Sequence, residues 1–317
     1  CNNVKFELHL LVLKRIDTEE RLMSGSSETS GRFEQALAAV MAGPTGPDCP
    51  PLLAQALHHA VFPGGARIRP KLCLAVATAN GLDEPGLAIA AACAVELLHC
   101  ASLVHDDLPC FDDADTRRGK PSVHCAFGEP LAVLAGDALI VAAFECLAAA
   151  AGNARSLARL PGVIAIVGRG VGSPMGICAG QAWESEPTVD LSRYHRAKTG
   201  SLFVAATTAG AAAAGVDPAP WARLGEAIGE AYQVADDIQD AIADPEVLGK
   251  PCHQDEHLHR PSAVAELGVE GAASRLRGLI AQTLESIPAC AGREQLQQLV
   301  LAQTEAFLPK SLRQQAA

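Results

Sequence analysis

Hydrophobic positions recur along this chain with a period close to that of an α-helix. From about residue 31 onward, alanine and leucine fall at helical spacing, while the apolar–polar alternation of a half-buried strand is scarce. The runs "PGLAIAAACAVELLHCASLVHDD", "PLAVLAGDALIVAAFECLAAAAG" and "SLFVAATTAGAAAAG" outlast any ordinary strand, so each predicts a mostly buried helix. Proline and glycine clusters separate them: "AGPTGPDCPP", "FPGGARIRP", "GLDEPG", "FGEP", "AGN", "GVDPAP", "DPEVLGKP" and "SIPACAG". These predict turns, and none is long or polar enough for an interdomain linker. No repeat period or low-complexity tract is found, so the expected fold class is all-α, one large helical domain over 23–317. Residues 1–22 are read as an extra N-terminal segment, because Met23 opens the polar "MSGSSETSG". The earlier "LHLLVL" is too short for a signal sequence and has no small-residue cleavage site after it.

Composition narrows the function classes. The 317 residues are 49% hydrophobic and 19% charged, enough for a large core. A net charge of −11 with no Lys/Arg run argues against nucleic acid and anionic membrane surfaces as partners. The 11 cysteines are scattered, odd in number and free of any C-x-x-C pair, which predicts buried thiols in a reducing cytoplasm. No unbroken apolar run approaches the roughly 18 residues of a membrane span.

Two acidic motifs carry the chemistry. In "LVHDDLPCFDDADTRRG", residues 103–119, Asp106, Asp107, Asp112, Asp113 and Asp115 follow an apolar helical run. Relative to a D-D-x-x-D spacing there are two extra residues, and Pro109 invites a bulge that returns Asp112 toward Asp106. In "YQVADDIQD", Asp236 and Asp240 stand at i, i+4 on one helix face, with Asp237 between them. Like charges placed so repel, at more cost when partly buried. A divalent cation converts that repulsion to attraction, and an all-carboxylate set suits Mg2+ bridging to phosphates. Cations to neutralise a diphosphate are available in Arg67, Arg69, Arg117, Arg118, Lys198 and Lys250. Singly, each feature has an ordinary reading: a solvated helix end, a surface ion pair worth ~0–1 kcal/mol, or a core histidine for His99. Jointly those readings weaken, because both aspartate motifs follow long apolar helices.

These residues resemble the trans-isoprenyl diphosphate synthase, or polyprenyl synthetase, family. From about His58 to about Gly268, "GGARIRP", "DDLPCFDDADTRRGKPSVH", "LAGDAL", "CAGQA", "AKTGSL" and "YQVADDIQD" occur in the family's order. The resemblance implies a bundle of long helices around a deep central cavity, usually as a homodimer, with an allylic diphosphate bound through three Mg2+ ions. Asp106 and Asp112 would ligate two ions and Asp236 a third, with Asp107, Asp237 and Asp240 close by. Arg117, Lys198, Gln233 and Lys250 would contact the allylic diphosphate; Arg69, His99 and Arg118 would hold isopentenyl diphosphate. Thr199 and Gln181 would line the reacting centre. The implied reaction ionises the allylic C–O bond, and isopentenyl diphosphate attacks the carbocation.

Two positions depart from the family pattern. Ala66 stands where a lysine is usual, with Arg67 or Lys71 as compensating cations, and beyond Lys250 the chain reads "LHRPSAV", with Arg260 beside Pro261. Before Asp106, Ala101 and Ser102 are small where farnesyl-forming relatives carry an aromatic floor; a helical turn of roughly 5.4 Å matches one isoprene unit. The expected product is therefore C20 geranylgeranyl diphosphate, with a deeper floor near Phe144, and "FPGGARIRP" together with "HCASLVHDDLPCFDDAD" resembles the bacterial carotenoid- and bacteriochlorophyll-pathway type. Ala101→Phe should shift product toward C15. Alternatives are a farnesyl or longer-chain synthase, a terpene cyclase (disfavoured by the second all-aspartate motif and 4% aromatic content) and a non-catalytic regulatory subunit.

Overall fold

Long alanine-rich segments with proline at or near their first turn dictate where helices begin. The computed structural model describes residues 26–242 and 262–305. Helices α1 (Ser26–Met41), α2 (Pro51–Val61), α3 (Ile68–Ala79) and α4 (Pro85–Asp106) come first. A two-residue hairpin follows, β1 (Thr116–Arg117) and β2 (Lys120–Pro121), and then α5 (Val123–Phe127), α6 (Glu129–Ala149), α7 (Ala154–Val171), α8 (Ile177–Ala182) and α9 (Leu191–His195). After a π turn at Arg196–Gly200 come α10 (Ser201–Ala213), α11 (Ala222–Ile242), α12 (Ala263–Glu285) and α13 (Arg293–Glu305). Pro51 and Pro85 open α2 and α4, where the missing N–H costs nothing. Asn153 caps α7 by accepting from the Ser156 N–H at 2.9 Å, while Ser156 Oγ accepts from the Asn153 N–H.

The expected all-α class is what the structure shows, with one unforeseen element. The hairpin turns on Arg118 and Gly119, both at positive φ (55° and 73°). This is the left-handed geometry that suits a two-residue turn between twisted strands.

Packing places α10 at the centre, against α3, α4, α7 and α11. One apolar cluster joins α1 to α7 with one face of α10; a second joins α11, α12 and α13 with the opposite faces of α3 and α10. α4 is buried almost throughout, from Leu87 to Val104, and Cys146 Sγ on α6 reaches the α4 carbonyl of Ala90 at 3.5 Å. The expectation about membrane length holds only for unbroken runs: α4 and α6 both have the length and composition to cross a membrane. The apolar window of α4 is 83% buried inside the protein and that of α6 44%, which identifies α4 as a core helix and leaves α6 half uncovered.

Candidate active site

The first aspartate motif is a turn that closes on itself. α4 ends at Asp106, and the Asp112 N–H then bonds the Asp106 carbonyl at 2.9 Å while the Ala114 N–H bonds the Asp107 carbonyl at 3.1 Å. The bulge expected at Pro109 therefore exists, and it brings Asp112 back beside Asp106. Asp107 points elsewhere: it is 2% exposed and accepts from both Nε and Nη2 of Arg117. It organises that arginine rather than joining the cluster.

Glu184 completes the group, a residue the sequence motifs did not single out. Oxygens of Asp106, Asp112 and Glu184 lie within 4.8 Å of one another. The available signal was its position, three residues after Gln181 on a continuing helical segment. Gln181 Nε2 donates to Glu184 Oε2 at 2.8 Å; Lys198 Nζ donates to Glu184 Oε1 at 2.6 Å and stands 3.5 Å from Asp106 Oδ1. Burial is the main reason the Asp106 carboxyl is pushed up to about 6, with Lys198 opposing and Asp112 and Glu184 adding to the rise. Asp106 Oδ1 is also buried without a hydrogen-bond partner. An open carboxylate oxygen among two more carboxylates is a donor set for a hard divalent cation, so the residues fit Mg2+.

Lys198 owes its position to a π turn, a common device at functional sites. Its backbone is packed so closely against Gly180 that a Cβ there would lie 2.3 Å from Lys198 N. Gly180→Ala is expected to displace the turn, lowering stability by about 1–3 kcal/mol and kcat more than either KM. A variant with wild-type melting temperature and kcat would refute the role of this contact.

The second motif lies on α11. Thr199 Oγ1 donates to Gln233 Oε1 at 2.9 Å, and Gln233 Nε2 donates to Asp237 Oδ1 at 2.9 Å. Asp237 Oδ2 takes the Ala263 N–H at 2.7 Å, so both of its oxygens are engaged, tying the π turn, α11 and α12 together. Asp236 and Asp240 are half-buried on the same helix and do not join the Asp106 group. A cavity of about 910 Å³ opens between α7, α10, α11 and α12 with Gln233 and Asp237 in its wall; Asp106, Asp112 and Glu184 do not line it.

A cluster of basic side chains sits beside α4. Arg69 is 9% exposed, stacked 4.3 Å over Phe203 and 5.6 Å from the Tyr232 centroid, with Nη1 3.5 Å from His99 Nε2 and Nε without a partner. Burial, and then the charges of Arg69 and Arg118, hold His99 well below the ordinary imidazole range, so it is neutral. A Cβ on Gly65 would lie 3.1 Å from Arg118 Nε, which places that guanidinium against the glycine loop. Arg67 cannot stand in for a lysine at Ala66. It is held by Glu96 at 2.5 Å, Glu34 at 2.8 Å and the Val61 carbonyl at 2.8 Å, and a Cβ on Gly64 would collide with its guanidinium at 1.9 Å. Lys71 does reach that position, donating to the Ala66 carbonyl at 3.0 Å.

The structure separates Ala101 from Ser102. At 100° per residue, Ser102 lies about 40° from the Asp106 face and Ala101 about 140° away. Accordingly Ala101 is 1% exposed within the core, whereas Ser102 is half-buried, its hydroxyl on the His99 carbonyl at 2.8 Å. Phe144 on α6 is partly buried against the same core. Lys250, Arg260 and Pro261 lie outside the described residues.

The polyprenyl synthetase family model matches residues 50–299. The chain is 58% identical over 278 residues to a geranylgeranyl diphosphate synthase of Cereibacter sphaeroides, covering 88% of this chain and 96% of that one. It is 53% identical over 269 residues to a geranylgeranyl diphosphate synthase of Rhodobacter capsulatus, covering 85% and 92%. Among solved structures, a geranyltransferase of Helicobacter pylori complexed with magnesium and isoprenyl diphosphate superposes with a TM-score of 0.72 at 29% identity, covering 89% of this chain and 99% of that one. An apo farnesyl/geranylfarnesyl diphosphate synthase of Zymomonas mobilis gives 0.73 at 28% identity, covering 88% and 97%.

Proposed function

Since this chain belongs to the polyprenyl synthetase family, we propose that it condenses isopentenyl diphosphate head-to-tail with allylic diphosphates and releases geranylgeranyl diphosphate. The observation that carries this reading is the pairing of a half-buried carboxylate group at Asp106, Asp112 and Glu184, with one open oxygen on Asp106, with a buried arginine, Arg69, that has no carboxylate on it among the described residues. The one is built for metal-bound diphosphate and the other for a second anion.

Mg2+, when bound, supplies Lewis-acid neutralisation of the leaving diphosphate. Asp106, Asp112 and Glu184 would hold ions on the first-motif side and Asp236 a third, three in all with substrate. Lys198 and Arg117 then orient the allylic diphosphate, and Arg69, neutral His99, Arg118 and Lys71 hold isopentenyl diphosphate with its double bond toward the allylic C1. As the C–O bond breaks, negative charge accumulates on the leaving diphosphate, where fixed cations stabilise it at no reorganisation cost. Thr199 and Gln181 flank the reacting carbons. The released diphosphate accepts the final proton, so no protein base is required.

Val133, Leu134 and Val141 are apolar and 42–56% exposed on the outer face of α6, around the exposed Asp137, which supports a homodimer burying that face. The nine described cysteines are all free thiols, which supports a reducing cytoplasm. Faces shared by α3 and α10 support reading 23–317 as one domain. Service in carotenoid biosynthesis rests on resemblance alone.

The test is incubation with Mg2+, isopentenyl diphosphate and C5, C10 or C15 primers, with product length read by mass. A C20 product abolished by EDTA is expected. Ser102→Phe should shorten it to C15, whereas Ala101→Phe should chiefly destabilise the core, by about 1–3 kcal/mol. Absence of product from every primer would overturn the enzymatic reading in favour of a regulatory subunit, and C20 from Ser102→Phe would refute the tail path along this face.

A further inference from the structure

Tyr194 belongs to none of the sequence motifs, yet it touches two of the groups that define the site. Its side chain is 8% exposed, and its hydroxyl donates to Glu184 Oε1 at 2.6 Å. The same oxygen receives Lys198 Nζ at 2.6 Å, and that ammonium lies 5.8 Å from the centre of the Tyr194 ring. Glu184 stands at the end of α8, in a short 3₁₀ turn at Trp183–Ser185, so its backbone fixes its long side chain only loosely.

We propose that Tyr194 is a positioning residue for the acidic group: it orders Glu184 as the third carboxylate and keeps Lys198 beside it, and so sets the protein's affinity for divalent cation. The inference rests on the reading of that group as a metal site. Glutamate has three side-chain torsions, and a carboxylate that must adopt one rotamer on binding weakens binding by the entropy of that ordering. A charge-assisted hydrogen bond from a rigid, buried phenol does the ordering in advance. Gln181 holds the other oxygen at 2.8 Å, so the carboxylate is gripped at both ends and directed at Asp106 and Asp112. Short chain connections make the grip stiff, because α9 carries Tyr194 and runs directly into the π turn that carries Lys198.

Tyr194→Phe tests this, since it keeps the ring, its packing and its cation–π contact and removes only the hydroxyl. Binding of Mn2+ to the full chain is measured by electron paramagnetic resonance of the free ion, with and without inorganic diphosphate, beside wild type and Glu184→Gln. Tyr194→Phe is expected to weaken Mn2+ binding about tenfold, to raise the Mg2+ concentration for half-maximal turnover by a similar factor, and to lower kcat at saturating Mg2+ far less. Wild-type Mn2+ affinity in Tyr194→Phe, with Glu184→Gln impaired, would overturn the positioning role alone. Wild-type affinity in both variants would overturn the metal reading on which it stands. Weakened binding accompanied by a lowered melting temperature would assign Tyr194 to fold stability and also count against the proposal.

Discussion

Asp106→Asn should abolish turnover and at the same time raise the melting temperature of the metal-free protein. The two effects have one cause. The Asp106 side chain is 15% exposed and one of its oxygens has no hydrogen-bond partner, and burial pushes its carboxyl from 3.8 up to about 6. A carboxyl whose folded-state pKa lies above its unfolded value binds its proton more tightly when folded. The native state therefore loses stability as pH rises from about 4 through about 6, and the loss is complete above that. Two pK units correspond to about 3 kcal/mol, a cost that bound metal offsets and asparagine never incurs. At pH 8 in EDTA the variant should melt a few degrees above wild type, with the gap closing near pH 4. Turnover should fall on the order of a thousandfold or more, because transition-state charge stabilisation by a ligated ion is worth several kcal/mol. Equal melting temperatures at pH 8 would mean that Asp106 is already neutralised without metal, with Lys198 as its counter-ion.

The second large effect concerns the other substrate. Arg69→Met should raise KM for isopentenyl diphosphate roughly a hundredfold, leave KM for the allylic diphosphate within a few-fold, and leave the protein at least as stable. Arg69 is a buried cation lying on Phe203 and Tyr232 with an unpartnered Nε, and burial lowers its pKa. A guanidinium placed so is costly to the empty protein and valuable once a diphosphate arrives. Methionine keeps much of the volume and the apolar stem. A rise in allylic KM instead, with isopentenyl diphosphate unaffected, would assign Arg69 to the allylic diphosphate.

Legibility differed from residue to residue. The return of Asp112 to Asp106 could be foreseen because it depends on local chain geometry alone: a helix end, two extra residues and Pro109. The difference between Ala101 and Ser102 was already contained in the 100° helical rotation; what the chain did not reveal was which of the two faces is packed. Glu184 escaped notice because an isolated glutamate near Gln181 carries no motif, and Arg67 was misjudged because Glu34 and Glu96 come to it from α1 and α4.

The sequence by itself determined the all-α class, the positions of the long helices, the two aspartate motifs and the family, since each of these is written in periodicity or in short-range spacing. Tertiary structure alone decided which carboxylates gather into one cluster and which serve as ties: Glu184 joins Asp106 and Asp112, while Asp107 turns to Arg117 and Asp237 to the Ala263 N–H. The physical reason is that a carboxylate's role depends on what lies within about 3 to 5 Å of its oxygens, and that is settled by helices far apart in the chain whose packing closes around it.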